Sequence, residues 1–132
     1  MLKVYLSVPI VVNRDLETAR EIEKIIRGVG CEIVSPWVLS SDPEEGLTER
    51  GVFKRDTESV RKCDVLVSNV SEPSHGVGME IMLAYVLGKA IVCTCKKGAP
   101  LSWLIKGMPS AKLVEYETVE DLRSKLARAF PT

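Results

Sequence analysis

The sequence predicts an α/β fold: a single doubly wound domain over residues 1–132, with a five-stranded parallel sheet and helices on both faces. Two observations carry this expectation. Short apolar runs alternate with stretches of helical periodicity along the whole chain, and glycine or proline punctuates most of the junctions. The stretch Ser74-His75-Gly76-Val77-Gly78-Met79-Glu80 also joins an apolar strand run to an apolar helix, as a strand-loop-helix joint does. Right-handed crossovers then place a ligand crevice at the carboxyl ends of the strands. The expected strand order is 2-1-3-4-5.

Each element follows from its own residues. Leu2 to Val8 is an apolar run closed by Pro9, which cannot continue a central ladder. Leu16, Ala19, Ile22, Ile26 and Val29 recur at helical spacing, with Asn13 or Asp15 as N-cap and Gly28 and Gly30 as stops. Cys31 to Ser35 is the second strand, and Pro36-Trp37 opens a long polar loop from Ser40 to Arg50. Gly51 to Cys63 forms the second helix, with Val52, Phe53, Thr57 and Val60 expected on its buried side. Asp64 to Val70 is the third strand, Gly76 to Leu87 the third helix with Gly88 as its stop, and Ala90 to Cys95 the fourth strand. A turn at Lys96 to Pro100 leads to a short helical segment, Leu101 to Ile105. Lys112 to Tyr116 is a more polar fifth strand, suited to an edge, and Thr118 with Asp121 makes a capping box ahead of Val119, Leu122, Leu126 and Ala129.

Composition excludes several functions. Eighteen basic and eighteen acidic residues balance, so nothing in the net charge recruits a nucleic acid polymer or an anionic membrane. No apolar stretch is long enough to span a bilayer, and Met1-Leu2-Lys3 runs into a strand without a signal-peptide pattern, so a cytoplasmic location is expected. Cys31, Cys63, Cys93 and Cys95 have neither zinc spacing nor a Cys-x-x-Cys pair and are expected as buried free thiols.

The chemistry concentrates on the third helix. Glu80 is the only charged side chain between Glu72 and Lys89, a carboxylate expected in the first turn of an otherwise apolar helix. The two glycines are expected to let the backbone bend tightly and approach a ligand, and unpaired N–H groups at the helix start favour an anion. The segments Pro9 to Arg14, Trp37 to Arg50 and Ser71 to Glu80 are expected to converge on one crevice. Met79 to Leu87 leaves this helix without a polar face apart from Glu80, so a second copy is the expected cover for its outer side.

The stretch Lys54-Arg55-Asp56, then Cys63-Asp64-Val65-Leu66-Val67, then Ser74-x-Gly76-x-Gly78-x-Glu80 resembles the nucleoside 2-deoxyribosyltransferase family. It is most similar to the branch of 2′-deoxynucleoside 5′-phosphate N-hydrolases, and the likeness runs from Val4-Tyr5 through Leu101-Ser102-x-x-Ile105-x-Gly107. The resemblance implies cleavage of the N-glycosidic bond of a nucleotide. Glu80 then matches the nucleophile that attacks C1′, Asp56 the second acid that assists departure of the base, and Tyr5 a tyrosine that contacts the sugar and orients the nucleophile. Ser74 matches a phosphate-binding serine, with Gly76 and Gly78 beside it, and Ser102 matches one supplied by the second subunit of a homodimer.

Glycosidic cleavage through an oxocarbenium-like state uses one carboxylate to capture C1′ and a second carboxyl group to help the leaving group. On this reading Glu80 stays ionised and Asp56 is the protonated partner. No metal or cofactor is required. The chain departs from the monophosphate hydrolases at Val8-Pro9, where they carry a Gly-Ser pair that contacts phosphate, and at His75, which stands where an apolar residue is expected. His75 is a candidate replacement for the lost contact, and Trp37 a candidate to stack on the base. Base transfer between deoxynucleosides, and a nucleotide-binding module without catalysis, are the alternatives. A response-regulator reading is disfavoured because Ser7-Val8-Pro9 lacks the paired acids that hold magnesium there.

Overall fold

The computed structural model describes residues 1–131. Five parallel strands run in the order β2-β1-β3-β4-β5, as the sequence predicts: β1 (Lys3–Ser7), β2 (Glu32–Ile33), β3 (Val65–Asn69), β4 (Ala90–Lys96) and β5 (Ala111–Tyr116). The helices are α1 (Leu16–Gly28), α2 (Glu49–Lys62), α3 (His75–Val86), α4 (Trp103–Lys106) and α5 (Val119–Ala127).

The period of two along each central strand sorts side chains between two cores. Val4, Leu6, Val65 and Val67 face one side, where Ala19, Ile22 and Ile26 of α1 and Leu122 and Leu126 of α5 cover them. Tyr5, Leu66, Ile91 and Cys93 face the other, against Val60 of α2 and Val77, Ile81 and Ala84 of α3. Strands buried on both faces must be apolar on both, which is why they read as runs rather than alternations. All four cysteines are buried, unpaired thiols.

Several expectations are corrected at the edges. The second strand, expected over Cys31 to Ser35, pairs with β1 only at Glu32 and Ile33. A 3-10 turn at Pro36–Leu39 follows and buries Val38, so this segment is ordered core rather than the start of an irregular loop. α2 begins at Glu49, ahead of Gly51, because Thr48 caps it: its Oγ1 accepts the Gly51 N–H at 3.0 Å. Phe53, placed on the buried side of that helix by its spacing, is 60% exposed. Asp15 rather than Asn13 caps α1, accepting the Thr18 N–H at 3.0 Å. No helix among the described residues is long and apolar enough to cross a membrane.

Candidate active site

Two side chains on β1 and two consecutive residues on α2 converge on one carboxylate of α3. Because residues two apart on a strand share a face, Tyr5 and Ser7 both point to the α2/α3 side. There the Tyr5 hydroxyl donates to Glu80 Oε2, and Ser7 Oγ donates to Glu80 Oε1 at 2.7 Å. Glu80 thus has a fixed donor on each oxygen at the wall of a cleft of about 650 Å³. The loop after β1 forms another wall with Val8, Ile10, Val11 and Val12, and α2 supplies Val52, Arg55 and Asp56. Asn13, in the left-handed region with φ 62°, donates from Nδ2 to the Pro73 carbonyl at 3.1 Å and ties that loop to the start of α3.

Burial raises the Glu80 carboxyl to about 7, opposed by the hydrogen bonds from Tyr5 and Ser7. The nearby Asp56 charge adds to the rise, and Arg55 reduces it. The expectation of a plainly ionised Glu80 is corrected here, because desolvation disfavours its charged form. Tyr5 is held far above its ordinary value, first by burial and then by Glu80, so it remains a donor. Beside Glu80, Arg55 Nε donates to Asp56 Oδ1 at 2.8 Å.

Glu80 also lies deeper in its helix than the sequence suggests. α3 starts at His75, with Ser74 as N-cap accepting the Val77 N–H at 3.4 Å, so Glu80 sits in the second turn rather than the first. Gly76 and Gly78 are helical residues, neither with positive φ, and they make no tight bend. A Cβ at either would meet nothing within 4 Å, so nothing inside the chain demands glycine there.

Of the residues singled out by sequence, Glu80, Asp56, Ser74, His75 and Gly76 line the cleft, and Tyr5 lies behind Glu80. Gly78 and Ser102 do not; they line a second, mostly apolar groove of about 590 Å³ between α3 and α4, which meets the first at Pro73 to Val77. In its own chain Ser102 caps α4, accepting the Leu104 N–H at 3.2 Å. Trp37 is half-buried behind the cleft, edge-on to Tyr5 with ring centroids 6.2 Å apart, and the Arg55 guanidinium lies 4.1 Å from its ring centroid. Two further side chains stand at this carboxylate, Ser7 and Arg55. The spacing of two from Tyr5 is the sequence signal for Ser7, whereas Arg55 is marked only as the neighbour of Asp56 in the Lys54-Arg55-Asp56 stretch.

The sequence pattern of the family described as nucleoside 2-deoxyribosyltransferase matches residues 4–123. The chain belongs to that family. Among curated relatives of this family member, a Thermofilum pendens protein carrying the provisional name 2′-deoxynucleoside 5′-phosphate N-hydrolase 1 is 31% identical over 139 residues, covering 98% of this chain and 96% of the relative. The 5-hydroxymethyl-dUMP N-hydrolase of Danio rerio is 30% identical over 92 residues, covering 68% of this chain and 64% of the relative. Among solved structures, the CMP N-glycosidase BcmB of Clostridium botulinum superposes with a TM-score of 0.71 at 20% identity, covering 94% of this chain and 97% of that one, a likeness of fold.

Proposed function

We propose that this family member hydrolyses the N-glycosidic bond of nucleoside 5′-monophosphates, releasing the free base and a sugar 5-phosphate by way of a covalent glycosyl ester on Glu80. The observation that carries the reading is Glu80 itself, held on both oxygens by Tyr5 and Ser7 at the wall of a cleft that also contains Asp56. As the bond from C1′ to the base nitrogen breaks, its electron pair leaves with the base while a Glu80 oxygen bonds to C1′. Water then attacks C1′ and displaces Glu80, and the proton it loses balances the one the base gains. Asp56 is the group placed to handle these protons. The names of the Thermofilum and Danio relatives and of the Clostridium structure support hydrolysis at a nucleotide.

The start of α3 is where the 5′-phosphate belongs. Ser74, His75 and Gly76 line the cleft there, and the first turn of a helix presents unpaired N–H groups. Val8 and Pro9 offer no hydroxyl from the opposite loop, so His75 takes that part. The enzyme acts as a homodimer. Met79, Met82 and Val86 leave an exposed apolar stripe on α3, continuous with exposed Trp103 and Leu104 beside the groove that holds Ser102. A second copy covers that stripe and brings its own Ser102 to the phosphate.

A chromatographic assay for free base tests the reading, using ribo- and deoxyribonucleoside monophosphates and the parent nucleosides, with and without an acceptor base. Base released from monophosphates by water, and lost in Glu80→Gln while ligand binding persists, is the expected result. Release only in the presence of an acceptor would make the enzyme a transferase, the reading favoured by the description of the matched family. Unchanged activity in Glu80→Gln would remove the nucleophile assignment.

A further inference from the structure

Arg55 and Asp56 are adjacent on α2, and neighbouring residues on a helix point in different directions. Their side chains nevertheless meet at 2.8 Å. Two contacts outside the helix account for the meeting. The guanidinium carbon lies over the Trp37 ring, 4.1 Å from its centroid, and Nη1 donates to the Pro43 carbonyl at 2.7 Å. The edge formed by Nε and Nη2 then carries a single acceptor, Asp56 Oδ1, and the buried Nη2 has no partner. Pro43 is itself buried, and Arg55 ties the loop between the 3-10 turn and α2 to the cleft.

We propose that Arg55 is the positioning residue of the acid pair: stacked on Trp37 and anchored to Pro43, it holds the Asp56 carboxylate at the cleft and keeps a positive charge beside two acids that share it. This rests on the reading of Glu80 and Asp56 as the reacting pair. Two carboxylates in one cleft repel, and a fixed cation between elements is the simplest way to let both be present. Trp37 thereby acquires a role other than base stacking, as the platform that bends the guanidinium back along its own helix. The charged and titratable groups around Glu80 are Tyr5 from β1, Arg55 and Asp56 from α2, Glu44 from the anchored loop and His75 from the start of its own helix.

The test uses Arg55→Gln, Arg55→Lys, Trp37→Phe and Trp37→Ala. Titration of the Glu80 carboxyl by carbon-13 NMR needs no turnover, so it reads the proposal even if no substrate is cleaved. Arg55→Gln is expected to raise the Glu80 midpoint by about one pH unit, and Arg55→Lys to restore it by returning the charge. With a cleaved substrate, Arg55→Gln, Arg55→Lys and Trp37→Ala are expected to lower kcat on the order of 10- to 100-fold with smaller changes in KM, the worth of one charge-assisted hydrogen bond. Trp37→Phe, which keeps an aromatic face, is expected to stay near the parent. An unmoved Glu80 midpoint in Arg55→Gln, or full kcat in both Arg55→Lys and Trp37→Ala, overturns the proposal. Should Arg55→Gln fail to fold, an unchanged kcat in Arg55→Lys overturns it by itself. Absence of base release from every substrate by the parent enzyme would instead count against the N-glycosidase reading.

Discussion

At Glu80 two neutral hydroxyl donors face a carboxyl group that burial pushes up to about 7. A nucleophile must be ionised, so kcat/KM should climb with pH through about 7 and level above it, which a pH-rate profile reads. The same shift acts on stability with a definite sign. The folded value lies above the ordinary carboxyl value of 4.5, so between 4.5 and about 7 the native state holds a proton that the unfolded chain has lost. The contribution is therefore complete below 4.5, and stability falls as pH rises through that window. Glu80→Gln, which cannot ionise, should be more stable than the parent by about 1–3 kcal/mol above the window and no more stable below it, in urea melts at both ends. Ser7→Ala removes a donor to the charged form, so it should move the acid limb of the pH profile upward and slow turnover near neutrality by about tenfold.

The element that matters most is α3, which carries Glu80, the proposed nucleophile, with a wall of the cleft and an apolar outer stripe on 12 residues. Its N-cap Ser74 has two tasks under the proposed function, capping the helix and contacting phosphate. Ser74→Ala should cost about 1 kcal/mol in thermal or chemical melts, the usual worth of a cap, and weaken monophosphates more than nucleosides in calorimetry. Equal losses for both ligands would leave only the cap. β1 contributes through its pleat: Val4 and Leu6 fill the α1/α5 core, while Tyr5 and Ser7 on the opposite face are free to serve Glu80. A one-residue slip of β1 would exchange the two sets and leave the carboxylate without donors.

For the whole molecule, the cleft with Glu80 and the groove with Ser102 meet only at Pro73 to Val77, so one chain does not bring Ser102 beside Asp56 and Glu80. Sedimentation should show a dimer at micromolar concentration and a monomer for Met82→Lys, placed on the exposed stripe of α3. The monomeric variant should lose activity on monophosphates more than on nucleosides, as should Ser102→Ala in the dimer. A parent protein that sediments as a monomer would end the two-subunit site.

The sequence by itself determined the strand order, the extent of most elements and the identity of Glu80 as the odd carboxylate, because apolar periodicity and a lone charge in an apolar helix are local facts. The family pattern added Asp56 and Tyr5. Only the tertiary structure decided what surrounds them. Ser7 joins the site because β1 turns the same face as Tyr5 toward α3, and Arg55 reaches Asp56 because Trp37 and Pro43, distant in sequence, bend it there. It also placed Glu80 one turn into its helix and raised its carboxyl to about 7. Those outcomes depend on desolvation and on contacts between segments far apart in the chain, which no local pattern records.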